Sequence, residues 1–176
     1  MNLLNTKLLS IGESSFYKSS VKAVYIPSSV TNIEYCAFHS CQNLHTFEIP
    51  EDSNLQFIGS YAFCSSSLKS INNPQHVKEI APDLFQYCKH LKNVNKSHKS
   101  ELIKIGKNVF ERTAIESFII PPNVSFIGAF AFYNCDELKI VDFNNNTKLK
   151  NISKLSFGFL KNANISAPKG IEISDI

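Results

Sequence analysis

Hydrophobic residues recur along this chain in a fixed register. Seven phenylalanines are separated alternately by 22 and 25 residues, and an isoleucine stands five positions before each of them. A self-similar period of this length is the signature of a protein built from stacked coils, and the alternation makes the repeating unit a pair of coils spanning 47 residues. The seven residues are Phe16, Phe38, Phe63, Phe85, Phe110, Phe132 and Phe157.

Each coil is predicted to contain one short strand, of which residues 44–49 are the clearest copy. The alternation there places Phe47 and Ile49 on one face of the strand, while Thr46 and Glu48 face the other way. Prolines such as Pro50 end the strand, because proline cannot donate to a continuing ladder. One coil cannot bury its apolar face alone, so stacked coils are expected to bury the phenylalanines as a continuous internal spine.

The whole chain, residues 1–176, is interpreted as a single domain, because no linker or shift in composition interrupts the repeat rows. Full repeats run from about residue 8 to residue 165, and residues 166–176 form a degenerate last coil in which Ser174 replaces the expected isoleucine. An incomplete coil leaves strand edges half covered, so end-to-end self-association is one hypothesis.

Composition argues against two classes of partner. The net charge is only +3, and no window holds the dense Lys/Arg run typical of a nucleic-acid binder. No stretch approaches the ~18–20 consecutive apolar residues that cross a bilayer, so direct membrane insertion is not expected. The first ten residues also lack the basic start and unbroken apolar run of a secretory signal.

The cysteines are predicted to be structural. Cys41, Cys88 and Cys135 lie 47 residues apart, each three positions after a spine phenylalanine. Parallel neighbours are about 4.8 Å apart, so cysteines two coils apart are separated by roughly 10 Å, which is too far for a disulfide. Buried thiols are the favoured interpretation, with a bridge between Cys41 and Cys64 in adjacent coils as the alternative. No C-x-x-C pair, clustered histidines or nucleotide-binding motif occurs, so no metal, cofactor or catalytic residue is predicted.

Residues 26–33, followed by Ala37, Phe38, Cys41 and Leu44, resemble the BspA-type (Treponema-pallidum-like) leucine-rich repeat family. The copy at residues 120–128 matches equally well, and the resemblance covers nearly the whole chain. It implies a mainly β repeat solenoid: a right-handed stack of about seven coils of 22 or 25 residues, with a parallel sheet on its concave face. Members of the family occur on bacterial and protozoan cell surfaces, where they are associated with adhesion, and they are not enzymes. The resemblance therefore also implies a non-enzymatic protein.

The outward positions of the predicted strands are the candidate binding surface. One row is a ladder of lysines interrupted by Glu116, and another carries Tyr25 and Ile119 among polar residues. Lysines at these positions could serve solubility alone; the functional alternative is an interface for an acidic or mixed protein or for a glycan. The candidate residues are Lys22, Tyr25, His45, Glu48, Lys69, Lys92, Glu116, Ile119, Lys139 and Asp142.

The sequence therefore predicts a non-enzymatic protein–protein interaction module without cofactors. The first hypothesis is a cell-surface adhesion protein that binds host or matrix proteins, which would place it at the cell surface or outside the cell. The alternative is an intracellular scaffold or adaptor that uses the same concave face in the cytoplasm. The unpaired thiols and the missing secretory signal favour that alternative.

Overall fold

The computed structural model describes residues 1–96, 99–143, 148–153, 155–161 and 163–165. Over these residues the chain forms a parallel β-solenoid that contains no helix. Each turn contributes a strand to two rows, so the predicted repeat solenoid with a parallel sheet is confirmed. The prediction of one strand per coil was wrong, because each coil has two. The second strand passes through the isoleucine row, which also pairs in register, as at Ile11, Ile33 and Ile58.

The row of short strands passes through the isoleucines, and each of its strands has two residues. It consists of β1 (Ser10–Ile11), β3 (Asn32–Ile33), β5 (Phe57–Ile58), β7 (Glu79–Ile80), β9 (Lys104–Ile105), β11 (Phe126–Ile127) and β13 (Asn151–Ile152). The other row is the one predicted from the sequence. It consists of β2 (Ala23–Tyr25), β4 (Thr46–Glu48), β6 (Ser70–Asn73), β8 (Asn93–Lys96), β10 (Ser117–Ile119), β12 (Ile140–Asp142) and β14 (Asn164–Ile165).

Asn73 and Lys96 stand where other coils carry an apolar residue at the strand end, so the repeat pattern predicts irregular coils there. Instead, β6 and β8 are longer than the other strands, with four residues each, and the backbones of Asn73 and Lys96 are paired with each other. The polar residues therefore extend the ladder, because backbone pairing does not require that the strand-end side chain be buried.

The seven spine phenylalanines form one continuous stack of rings through the core. Successive ring centroids lie 4.9, 5.5, 5.9, 5.7, 5.2 and 5.1 Å apart from Phe16 to Phe157. Phe47 meets two spine rings edge-on from the side, at 5.1 and 4.8 Å. Stacked and edge-to-face pairs are the favoured arrangements of aromatic rings, so the repeated phenylalanines contribute directed contacts as well as buried area.

The backbone around each spine phenylalanine forms a turn with two left-handed residues, at the second position before and the second after the ring. Around Phe63 these residues are Tyr61 and Ser65, with φ of 59° and 56°. Alternate amides donate to the next coil, as Phe63 N does to Leu84 O at 3.1 Å, while the amides between them close turns within the coil. We call the surface of these turns the turn edge. Its backbone donors are already used inside the stack.

Glycine allows close approach of the coils next to the short strands. A Cβ on Gly128 would lie 2.6 Å from the backbone of Gly106 and Lys107, and one on Gly106 would lie 2.7 Å from Ile80 O. A Cβ atom cannot be accommodated at such distances. The backbones of adjacent coils can therefore approach this closely only because Gly106 and Gly128 have no side chain.

The longer strands form one row, but their hydrogen-bond ladder is interrupted twice. Ladders join β2 to β4, β6 to β8, and β10 through β12 to β14, whereas β4 and β6, like β8 and β10, are neighbours without a ladder. We call these interruptions the β4/β6 seam and the β8/β10 seam. The two seams fall at the long connections that follow β4 and β8, whereas the ladder continues from β12 to β14 across the third long connection.

The two ends of the solenoid bear on whether it can associate end to end. The first residues pair with β2: Leu3 N donates to Tyr25 O at 2.9 Å, and Tyr25 N donates to Met1 O at 3.1 Å. This N-terminal segment covers the outer edge of β2. The predicted last coil, residues 166–176, lies outside the described residues, so end-to-end self-association stays a prediction that sedimentation at high protein concentration would test.

Candidate functional site

The ten candidate residues all lie on the outward surface of the longer strands, which we call the strand face. Each of the ten is exposed. The ladders bring them side by side: Tyr25 is in register with Glu48, and Ile119 with Asp142. The backbone of His45 bonds to that of Lys22 at 3.1 Å, and that of Lys139 to Glu116 at 2.9 Å, which places the charged row across adjacent coils.

Glu116 does more than interrupt the lysine row. Its Oε1 accepts a hydrogen bond from Lys92 Nζ at 2.9 Å. This contact lowers the pKa of Glu116, with a smaller effect of the Lys139 charge, and raises the pKa of Lys92. Both side chains are solvent-exposed, so the pair organises the surface without adding much stability. The positive character of the strand face therefore rests mainly on Lys22, Lys69 and Lys139.

The β8/β10 seam opens a cleft with apolar and polar walls. Its cavity of about 300 Å³ is lined by apolar Val94, Phe118, Ile119 and Pro121 and by polar Asn73, Asn93 and Ser117, and it reaches buried Leu102. Ile140, on the strand next to β10, is 54% exposed, and Ile119 is 43% exposed. Apolar walls beside exposed aliphatic side chains, bordered by polar and charged groups, have the composition of an interface core with a polar rim.

The β4/β6 seam is polar in contrast. A hollow of about 260 Å³ is lined there by His45, Glu48, Ser70 and Asn72. Sequence reasoning named His45 and Glu48 but missed both seams and the cleft. No residue type marks a break in a ladder, because the strands on either side keep the same alternation.

A second groove lies on the flank of the solenoid beside the short strands. It has a volume of about 680 Å³ and is lined by Lys78, Glu101, Ile103, Asn123, Ser125, Lys148 and Lys150. Lys148 Nζ donates to Asn123 Oδ1 at 2.7 Å, and His76 Nδ1 lies 3.1 Å from Glu101 Oε1. The groove was not predictable from the strand pattern, since most of its residues fall in connections rather than in strands.

The three cysteines spaced 47 residues apart are buried, as predicted, and all five thiols are free. The predicted alternative, a Cys41–Cys64 disulfide, is therefore wrong. The Sγ atoms of Cys41, Cys88 and Cys135 each donate to the carbonyl of the spine phenylalanine in the preceding coil, at 2.9 Å in every case. Each thiol thus gives this carbonyl a second hydrogen bond, beside the one that the carbonyl accepts from the amide three residues further along the chain.

Burial controls the chemistry of these thiols. It raises the pKa of Cys88 to about 12 and that of Cys135 to about 11, from an ordinary 9.0. Thiols with such pKa values are almost entirely protonated near neutral pH, and the thiolate is the reactive form. They are therefore inert at the centre of the stack.

Among the residues that the structure describes, no three His, Cys, Asp or Glu side chains gather closely enough to hold a metal ion. The same part of the chain contains no helix that is long and apolar enough to span a bilayer.

Coils of 22 to 25 residues, a parallel sheet on one side and a hydrophobic ladder inside define a leucine-rich repeat solenoid, a fold typical of protein-interaction modules. The chain belongs to the BspA-type leucine-rich repeat family. The profile described as "BspA type Leucine rich repeat region (6 copies)" matches residues 9–139 and 103–175. No curated protein matches the sequence.

Solved structures support the same assignment. A leucine-rich cell surface protein of Faecalibacterium prausnitzii is 26% identical, with a TM-score of 0.57 over 76% of this chain and 42% of that one. The pneumococcal vaccine antigen PcpA is 25% identical, with a TM-score of 0.70 over 77% of this chain and 36% of that one. A T. pallidum leucine-rich repeat protein is 27% identical, with a TM-score of 0.52 over 76% and 51%. The chain thus spans about half, or less, of these relatives.

Proposed function

We propose that this protein is a non-enzymatic adhesion module of the cell surface and that it binds a protein ligand through the strand face. The observation that carries the proposal is that buried and exposed positions of the coil differ in how much they vary. Positions that repeat from coil to coil are buried, whereas the exposed strand positions vary in size and charge. Variable side chains on a rigid repeated scaffold are what a binding surface requires, because the core holds them in place at no cost to folding.

The chemistry of the strand face describes the partner. The cleft at the β8/β10 seam, with Ile119 and Ile140, would accept an aliphatic or aromatic side chain and serve as the centre of the interface. Lys22, Lys69 and Lys139 would surround it with positive charge, which suits an acidic or mixed protein of host or matrix origin. A glycan ligand for the same face is less well supported, because the described strand positions expose one tyrosine as a ring surface, Tyr25.

The relatives favour the surface location. One of them is described as a cell surface protein and another as a vaccine antigen. The free thiols were the argument for the alternative, an intracellular scaffold. That argument is weakened by the burial of Cys88 and Cys135, since thiols with strongly raised pKa values resist oxidation in either compartment. Labelling of intact cells with an antibody to this chain would distinguish the two locations.

A charge-reversal experiment tests the strand face. Partners would be captured by wild-type protein and by the variant Lys22→Glu/Lys69→Glu/Lys139→Glu, and then identified by mass spectrometry. Lys92 is left unchanged because it is paired with Glu116. We expect the variant to lose the principal partner and wild-type binding to weaken with salt, because exposed charges are screened over about 8 Å at physiological ionic strength.

The matched control reverses three lysines away from the strand face. Lys78, Lys148 and Lys150 line the flank groove, so the variant Lys78→Glu/Lys148→Glu/Lys150→Glu changes the net charge equally. It should retain the partner. Equal capture by all three proteins, or loss of capture in the control variant alone, would refute the strand face as the binding surface.

A further inference from the structure

Aromatic side chains collect on the turn edge of the first three coils, a surface separate from the strand face. The ring centroids of Tyr17 and His39 are 5.2 Å apart, those of His39 and Tyr61 are 6.3 Å apart, and those of Tyr35 and Tyr61 are 5.8 Å apart. Tyr17 and Tyr35 are each 47% exposed. We call these four residues the aromatic patch. The rings cross three coils, or about 10 Å.

The turn itself does not require these rings. The left-handed position of Tyr61 is occupied by Ser14 and Asn108 in other coils, and those coils form the same turn. A left-handed conformation is easier for asparagine than for a bulky residue, so tyrosine at that position lowers local stability. The core gains little from exposed Tyr17 and Tyr35. Folding therefore leaves the aromatic patch unexplained.

Carboxylates and amides border the rings. Asp83 lies in the coil after Tyr61, is almost fully buried, and accepts a hydrogen bond from Asn108 Nδ2 at 2.8 Å. Burial and then the charge and hydrogen bond of Asp83 raise the pKa of Tyr61. Nearby, Gln86 Nε2 donates to Glu111 Oε2 at 2.7 Å. This border offers both donors and acceptors, and its carboxylates disfavour an anionic ligand.

Two further charges face the patch. Lys18 Nζ lies 5.0 Å from the centre of the Tyr17 ring. The pKa of Tyr35 is raised mainly by the hydrogen bond with Cys36 and by its charge, and to a smaller degree by the charge of Glu13. Burial, and then the charge of Lys18, lower the pKa of His39, so its imidazole is neutral near pH 7. The patch therefore presents four uncharged rings, with cation and carboxylates distributed around them.

Backbone recognition is not available at this surface. The amides of Ser14, Phe16 and Lys18 donate to the next coil at 2.8 to 2.9 Å, and those of Cys36, Phe38 and Ser40 do the same at 2.7 to 3.1 Å. A peptide could not add here as a further strand, since that mode needs free backbone groups. The groups that remain available to a ligand are the faces of the rings and the planar polar side chains beside them. That combination suits a sugar, whose C–H face packs on an aromatic ring while its hydroxyls bond to carboxylates and amides.

We propose that the aromatic patch binds a neutral oligosaccharide, independently of the protein-binding strand face. Tyr17 and Tyr35 provide the stacking surfaces, and the partly exposed Gln86, Asn108 and Glu111 provide hydrogen bonds to hydroxyl groups. Because the rings are spread over three coils, a sugar chain that lies along the turn edge would contact several of them at once.

Affinity electrophoresis tests this proposal. Wild-type protein would be run in native gels that contain soluble mannan, β-glucan or galactan, and at least one polysaccharide should retard it. Tyr17→Ala/Tyr35→Ala should weaken that binding by about tenfold or more, because two exposed stacking contacts are removed. Tyr17→Phe/Tyr35→Phe keeps the rings and should retain most of the binding.

Two matched controls carry exposed aromatic residues elsewhere. Tyr25→Ala changes the strand face, and Phe159→Ala changes the turn edge at the other end, where that ring is 68% exposed. Both should bind sugar like wild type, and thermal unfolding would confirm that every variant is folded. Absence of retardation in every gel would overturn the proposal, as would equal retardation of the double alanine variant. Binding of a proline-rich peptide in place of the sugars would also overturn it.

Discussion

At the scale of a single residue, Phe63 shows how much one ring contributes to the solenoid. It is fully buried, stacks on Phe38 and Phe85 at 5.5 and 5.9 Å, and meets Phe47 edge-on at 4.8 Å. Replacing it with alanine should lower the free energy of unfolding by about 3–5 kcal/mol, because the rings on both sides cannot close the cavity. Urea denaturation would measure the loss.

Phe16 provides the comparison within the same row. It is only half-buried and stacks on one spine ring, that of Phe38. Phe16→Ala should therefore cost clearly less than Phe63→Ala. Equal losses would contradict the view that the spine is stabilised from both sides of each ring.

Cys88 connects one residue to the pH dependence of the whole fold. Its pKa is raised by burial from 9.0 to about 12, so folding stabilises the neutral thiol. The corresponding stability is fully present below about pH 9 and is lost as the pH rises towards 12. Wild-type protein should thus lose stability over this range more steeply than Cys88→Ala. The half-exposed Cys36 gives the control, since Cys36→Ala should follow wild type more closely.

The structural role of a residue was predictable from the sequence where that role is to be buried in the core. The phenylalanine and isoleucine rows and the burial of Cys41, Cys88 and Cys135 follow from spacing, because equivalent positions in stacked coils share one environment. The aromatic patch was not predicted. Tyr17, Tyr35 and Tyr61 occupy three different repeat positions, and only the turn geometry brings their rings together.

At the scale of the element, the turn around each spine phenylalanine is held in shape by tertiary contacts. Most of the left-handed positions carry residues such as serine, lysine, tyrosine and leucine, which do not favour positive φ, whereas Asp83, Asn108 and Asn134 are of types that tolerate it. Local propensity therefore could not reveal this conformation. The hydrogen bonds to the next coil impose it, as where Ser14 N bonds to Tyr35 O at 2.9 Å.

Ser14 allows a direct test of that strain. It is exposed and has φ of 51°. Ser14→Gly should leave stability unchanged or raise it by up to about 1 kcal/mol, because relief of the Cβ clash is partly offset by the greater freedom of the unfolded chain. Ser14→Val should lower stability by about 1–2 kcal/mol, since a β-branched residue fits this region poorly. Ser14→Ala controls for loss of the hydroxyl, and thermal unfolding gives the order. A valine variant as stable as the glycine variant would contradict the strain.

The seams predict a difference in hydrogen exchange along one row of amides. The amides of His45, Lys92 and Lys139 each donate to the preceding coil, at 3.1, 2.9 and 2.9 Å. Lys69 holds the equivalent position at the β4/β6 seam, and within the described residues its amide makes no such bond. Exchange measured by NMR should therefore be faster at Lys69 than at the other three amides. Equal protection at all four would show that the ladder continues through the seam in solution.

At the scale of the whole molecule, the solenoid separates stability from recognition. The interior holds the rings and thiols, and three different surfaces remain: the strand face, the flank groove and the turn edge. The strand face could be predicted, because outward positions follow from strand alternation, and all ten candidate residues are exposed there. The cleft at the β8/β10 seam could not, because it depends on how two-coil units meet and not on any residue within one.

The two-coil unit itself yields the last prediction. Deleting residues 59–105 removes one unit of 47 residues and joins Ile58 to Gly106, which restores the Ile-Gly pair and the 22/25 alternation in every row. Each coil contacts only its neighbours, so the shortened protein should still unfold cooperatively, at lower stability. Deleting residues 81–105 instead removes a single coil and sets two 22-residue coils in succession. It also places Thr113 at the position from which Cys88 had donated to the carbonyl of Phe63. That variant should bind a hydrophobic dye and lose cooperative unfolding although it keeps more of the chain. If it unfolded as cooperatively as wild type, the single coil and not the pair would be the folding unit.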